Sequence, residues 1–187
     1  MKIAVATAPF FFVEENTILQ TLFEEGMDLL HIRKPDSEPI YCERLLTLMP
    51  NKWYHRIIVN DHFYLQNEYG LKGIHISDRN PVEPKGYKGF KTRSCTVDDI
   101  SRWADCYGYV VLDATPSIIQ RAAKQHKINH KVFVRGVTSI DGVLFARDCG
   151  FGGIILEDVL WNRFDLHESN NFKELVDLFK FFRKAAD

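Results

Sequence analysis

The sequence has nothing that marks a membrane protein, a nucleic-acid binder or a phosphate-loop enzyme. No apolar run reaches the ~18 residues that a spanning helix needs. The 24 basic and 25 acidic residues nearly cancel, to a formal net charge of -1, which excludes a basic nucleic-acid footprint as a global feature. Neither GxxxxGKS/T nor GxGxxG occurs, so the two common glycine-rich phosphate cradles are excluded. Cys42, Cys95, Cys106 and Cys149 form no CxxC pair and no metal-like spacing, and they read as reduced thiols of a cytoplasmic protein. The stretch IAVATAPFFFV lacks a basic leader and a small-residue cleavage site, and it reads as strand and loop. No linker, low-complexity tract or charge block divides the chain.

What is present is a core-forming composition in strict alternation. The chain has 187 residues, 45% of them hydrophobic, enough for one domain (residues 1–187) with a sizeable core. Four times a helical stretch ends near a glycine and an apolar run follows, led by Gly26, Gly70, Gly108 and Gly150. Helix C-caps with positive φ account for these glycines. Between them lie KIAVAT (2–7), RIIVN (56–60), GFKTRS (89–94) and KVFVRG (131–136), also β-favouring. Helices are expected near 14–25, 38–48, 61–69, 97–105, 116–127, 139–149 and 168–185. The segment DRNPVEPKGYKG (78–89) holds two prolines and two glycines, so a loop replaces the fourth helix.

Strands alternating with helices require parallel pairing through right-handed crossovers. A compact (β/α)8 barrel with a reduced fourth helix and a short sixth loop follows, with an open doubly wound parallel sheet as the alternative. In a barrel, chemistry gathers at the C-terminal strand ends. Those ends here are Thr7, Arg33-Lys34, Asn60-Asp61, Ser77-Asp78, Ser94, Asp113, Arg135-Gly136 and Glu157-Asp158, a polar mouth. Period-two alternation places His31 and Leu29 beneath Arg33, and His75 beneath Ser77. The two histidines are either acid–base groups or hydrogen-bonded core residues. A phosphate site after strands seven and eight would use 135–137 and 152–164, with Gly152 and Gly153 permitting close backbone approach and DVLWNRF as a short extra helix. Glu157 and Asp158 stand against an anion there, and Arg135 is placed to offset one of them.

The order LLHIRK, IIVND, GIHISDRNP, a serine strand, then glycine-rich seventh and eighth strands resembles thiamine phosphate synthase and its relatives, the thiazole tautomerases. The resemblance runs over nearly the whole chain. It implies a (β/α)8 barrel that joins an aminopyrimidine diphosphate to a thiazole phosphate and releases pyrophosphate with Mg2+. By that resemblance Arg33 binds the diphosphate, and Lys34 substitutes for a lysine that the family places where this chain has Pro35. Asn60 and Asp61 hold diphosphate and Mg2+. Gly73, Ile74 and His75 match the fourth-strand motif, and Ser94 matches the fifth-strand serine. The second Mg2+ aspartate falls at Asn80, with Asp78 as its replacement, and Mg2+ is expected only together with a diphosphate.

His31, Arg135, Gly136 and Gly153 complete the implied substrate site, and Arg33, Lys34, His75 and Ser94 the implied catalytic set. The sixth-loop lysine of the family is missing, and Thr96 stands where tautomerases carry a histidine. The implied partners are small phosphorylated substrates, with no nucleic acid and no membrane, and nothing in the residues sets an oligomeric state. Two other readings are a non-catalytic barrel that binds a thiamine-related molecule or a partner protein, and a thiazole isomerase.

Overall fold

A computed structural model describes residues 1–164 and 172–187. Eight parallel strands close into a barrel in the order of the chain, β1 (Lys2–Ala6), β2 (Leu29–Ile32), β3 (Ile57–Val59), β4 (Gly73–Ile76), β5 (Phe90–Ser94), β6 (Tyr109–Asp113), β7 (Val132–Arg135) and β8 (Gly153–Leu156). β8 returns to β1 with Val5 opposite Leu156, so no sheet edge is left and the open doubly wound alternative is excluded. The helices are α1 (Glu15–Glu24), α2 (Pro39–Leu48), α3 (Leu65–Tyr69), α4 (Ile100–Trp103), α5 (Pro116–Lys124), α6 (Ile140–Asp148), α7 (Asp158–Trp161) and α8 (Lys173–Ala186). Residues 77–89 carry no helix, and only Ala114 and Thr115 separate β6 from α5, as expected. A 3-10 turn over Asn51–Arg56 was not anticipated, and expected helical residues 168–171 lie outside the described residues. Among the described residues no helix is long and apolar enough to cross a membrane. All four cysteines are free.

Most strands are buried on both faces and so read as nearly continuous apolar runs, whereas β5, of sequence FKTRS, is only partly buried. Residues such as Ile3, Val5, Leu30, Ile32, Val110 and Leu112 face the helices and form the larger core. The alternate positions Ala4, Ala6, Leu29, Ile58, Tyr109, Val111, Phe133 and Ile155 fill the barrel. Small and large residues compensate across this interior. The rings of Tyr109 and Phe133 stack 4.0 Å apart on one side, and alanines line β1. Of the expected C-cap glycines, Gly26, Gly70 and Gly150 have positive φ. Gly108 does not. Its lack of a side chain instead makes room for the Phe90 ring, which a Cβ would strike.

Candidate functional site

Following each inward-facing column of side chains to the C-terminal end of its strand builds the mouth. Beyond Leu29 and His31 comes Arg33, beyond Ile58 comes Asn60, and beyond Thr92 comes Ser94. Beyond Val111 comes Asp113, beyond Phe133 comes Arg135, and beyond Ile155 comes Glu157. Arg33, Asn60, Ser94 and Arg135 line one cleft of about 130 Å³, together with Ser77, Asp78 and Arg79 from the loop after β4. Asp78, Ser94 and Arg135 also line an adjoining cleft of about 180 Å³ that reaches Arg93, Thr96 and Trp103. The Thr7 hydroxyl accepts from Arg33 N (2.9 Å) and donates to Arg33 O (3.1 Å), which fixes the backbone from which that guanidinium projects. Gly136, with φ +81°, turns the chain away from β7 at the mouth, a conformation that suits glycine.

A buried polar layer forms the floor. His31 pairs through Nδ1 with Asn60 Oδ1 (3.0 Å) and through Nε2 with the Tyr109 hydroxyl (2.5 Å). The amide oxygen can only accept, so Nδ1 carries the proton and Tyr109 donates to Nε2. This leaves the Asn60 NH2 as the polar end for the cleft. His75 pairs with Thr92 Oγ1 (2.8 Å) and Ser94 Oγ (2.9 Å), and the two imidazoles meet edge to face at 5.3 Å. Burial lowers His31 to about 4, against the hydrogen bond that its Nδ1 donates to Asn60. Burial, then the neighbouring His31, pushes His75 well below the usual imidazole range. Both rings are therefore neutral at physiological pH. His75 lies one layer below the cleft, so its part is to position Ser94.

The charges above this floor are matched in pairs. Arg33 Nη1 stands 3.6 Å from Glu157 Oε1, without a hydrogen bond, and Arg135 Nε donates to Asp113 Oδ1 at 2.6 Å. Arg135 therefore pairs directly with Asp113 and not, as expected, with an acid of the eighth strand, although its charge still acts on Glu157. Glu157 has its carboxyl raised by burial, with Arg33 and Arg135 pulling the other way. Asp158 is exposed at the start of α7, a single short turn.

Two expected site residues lie elsewhere. Lys34 is fully buried away from the mouth, because it follows Arg33 and alternation turns it to the opposite side. Its Nζ donates to both Glu15 oxygens (3.0 and 2.8 Å) and to the carbonyls of Ala8 (3.0 Å) and Phe10 (2.9 Å). Gly153 begins β8, at the end of the barrel opposite the mouth, and a Cβ there would run into the Phe133 ring. Its role is packing. Gly153→Ala should cost about 1–3 kcal/mol of stability in thermal melts and leave ligand affinity at the mouth unchanged.

The carboxylate of Asp61, expected to hold Mg2+, is engaged by donors of the protein. Asp61 already accepts from Arg79 Nη2 at 2.6 and 2.7 Å, from Asn80 Nδ2 at 2.7 Å and from Lys34 N at 3.2 Å. Among the described residues every hydrogen-bond partner of that carboxylate is a donor, which is the environment of an anchored anion and does not suit a ligand to a hard cation. Asp78 lines the cleft. Sequence reasoning missed Arg79, which lies in an irregular loop where no periodicity points it anywhere. It also missed Arg93, which stacks on Trp103 at 4.5 Å.

No family model matches the chain, and no curated protein matches it. Solved structures do. A thiamine phosphate pyrophosphorylase from Bacteroides thetaiotaomicron is 41% identical, with a TM-score of 0.93, over 100% of this chain and 98% of that one. A thiamine phosphate pyrophosphorylase from Pyrococcus furiosus is 14% identical, with a TM-score of 0.72, over 100% and 97% of the two chains. The α subunit of tryptophan synthase from Legionella pneumophila is also 14% identical, with a TM-score of 0.75, over 100% and 92%. The last two are similar in fold alone.

Proposed function

Because the chain belongs to the thiamine phosphate pyrophosphorylase family, we propose that it joins an aminopyrimidine diphosphate to a thiazole phosphate and releases pyrophosphate. The observation that carries this reading is the convergence of Arg33, Asn60, Arg79, Ser94 and Arg135, from five separate segments, on one cleft at the barrel mouth. In the reaction the bond between the pyrimidine methylene and the diphosphate oxygen breaks, and its electron pair leaves with pyrophosphate. The thiazole nitrogen lone pair then forms the new bond to the methylene carbon, giving a thiazolium. Negative charge grows on the leaving group, so preorganised donors aimed at it lower the barrier. The guanidiniums supply those donors, the Asn60 NH2 and the Ser94 hydroxyl add neutral ones, and the His75 contact keeps Ser94 in place. The adjoining cleft, walled by Trp103 and Arg93, offers room for the rings.

Glu157 is the residue that opposes this chemistry, since it competes with the diphosphate for Arg33. Glu157→Gln should tighten pyrophosphate binding about fivefold, on the order of 1 kcal/mol, most clearly at low salt. The pH dependence has a definite sign. As pH falls through the raised Glu157 pKa, the carboxyl takes up a proton and releases Arg33, so the gap between native and variant protein should narrow in acid. Titration calorimetry across pH checks both effects, and a gap that widens in acid would contradict them. The reading itself is tested by incubating the protein with both phosphorylated substrates and following the coupled product by mass spectrometry. Product is expected only when the pyrimidine carries its diphosphate.

A further inference from the structure

The family resemblance implies Mg2+ at Asp61, and the residues around Asp61 do not fit it. The cation that stands on this carboxylate is Arg79. Its side chain is 37% exposed and that of Asp61 9%, so the pair spans from the barrel wall to the cleft. Local structure explains the placement. Ser77 N donates to Asn80 O (3.3 Å) and Asn80 N to Ser77 Oγ (3.4 Å), which closes the loop after β4 into a tight turn. Asn80 Nδ2 then ties that turn to the end of β3 through Asn60 O (2.9 Å) and Asp61 Oδ1 (2.7 Å). Asn80 thus stands where the family pattern has a second acid, and it brings a donor there. The turn lays Arg79 over Asp61.

Both contacts to Asp61 come from Nη2, so Nη1 and Nε of Arg79 have no protein partner among the described residues. Among the described residues Arg33 makes no hydrogen bond through its guanidinium, and Arg135 uses only Nε. Three planar guanidiniums with free N–H groups therefore border one cleft of about 130 Å³. That is the geometry arginine uses to grip phosphate oxygens in pairs. We propose that Arg79, anchored by Asp61 and Asn80, replaces the divalent cation in this chain, so that the diphosphate is bound and its leaving charge neutralised by Arg79, Arg33 and Arg135 without a metal. The proposal rests on the diphosphate reading of the mouth given above.

Inorganic pyrophosphate titrated into the full chain tests it, once in excess EDTA and once in excess Mg2+. Binding is expected in EDTA, and Mg2+ should not tighten it, because the metal would cover the oxygens that the guanidiniums grip. Arg79→Ala should weaken binding in EDTA by at least about tenfold, with thermal melts confirming the fold. Asp61→Asn, which keeps an oxygen acceptor for Arg79, should bind pyrophosphate equally in EDTA and in Mg2+, whereas the loss of a metal ligand would show as weakened binding in Mg2+ alone. Arg79→Ala combined with Asn80→Asp should bind more tightly in Mg2+ than in EDTA. Native binding that requires Mg2+, or Arg79→Ala binding like the native chain in EDTA, would overturn the proposal. The transfer reading fails separately. If pyrophosphate binds without metal through Arg79 but the two substrates give no product, the arginine site stands and the reaction does not. If product forms only with Mg2+, the reverse holds, and absence of pyrophosphate binding in both buffers removes both.

Discussion

Lys34→Met is expected to lower stability by about 3–5 kcal/mol, a fall in melting temperature of roughly 10 °C for a chain of this size. The substitution leaves the Glu15 carboxyl buried without its cation and removes the donor from the carbonyls of Ala8 and Phe10. The pH dependence of the deficit follows from Glu15, which burial raises to about 7 even though Lys34 pulls it down. A carboxyl raised above its unfolded value costs stability progressively as pH climbs from the unfolded to the folded pKa, and by a constant amount above it. Without Lys34 the folded pKa rises further, so the variant's deficit should grow above about 7. At about pH 5 it should shrink, since Glu15 is then neutral in both proteins. Adding Glu15→Leu should recover most of the loss, because an isolated buried charge is what costs so much. Pyrophosphate affinity should not change while the protein is folded. Native-like melting with lost pyrophosphate binding would return Lys34 to the mouth.

Arg33→Ala should show the opposite split. Its guanidinium makes only a loose, half-exposed pair with Glu157, and such pairs contribute little to folding. The melting temperature should therefore hold. Pyrophosphate affinity should fall by about 30-fold, on the order of 2 kcal/mol, for the loss of a charge-assisted pair of hydrogen bonds. Arg33→Lys should recover only part of this, since an ammonium cannot span two oxygens in one plane. An unfolded Arg33→Ala chain, or one that melts lower and binds as before, would make the arginine a structural partner of Glu157.

These two neighbours show where sequence reasoning succeeds and where it stops. The inward column Leu29, His31, Arg33 is legible, because a buried strand alternates and its last inward residue must reach the mouth. The same alternation, carried one residue further, turns Lys34 outward. The resemblance to a family with a lysine nearby ran against that geometry, and the geometry decides. Strand direction similarly places Gly153 at the far end of the barrel, although its glycine pair looked like a phosphate cradle. The barrel itself was legible from alternation alone, down to the missing helix over 77–89 and the abrupt passage from Asp113 into α5. Which carboxylate each arginine takes was not. Arg135 pairs with Asp113 because β6 and β7 lie side by side, and Arg33 reaches Glu157 across the end of β1, relations that need the register and closure of the sheet. Arg79 was the hardest to find, since its position depends on a turn held by two side-chain amide bonds of Asn80.

The most direct measurement is the coupling reaction run with both phosphorylated substrates in excess EDTA, with product and pyrophosphate quantified together. Equal amounts of the two, formed at an initial rate that added Mg2+ does not raise, are the predicted result. No product in either buffer, or product that appears only when Mg2+ is supplied, would contradict an arginine-built, metal-free transferase mouth.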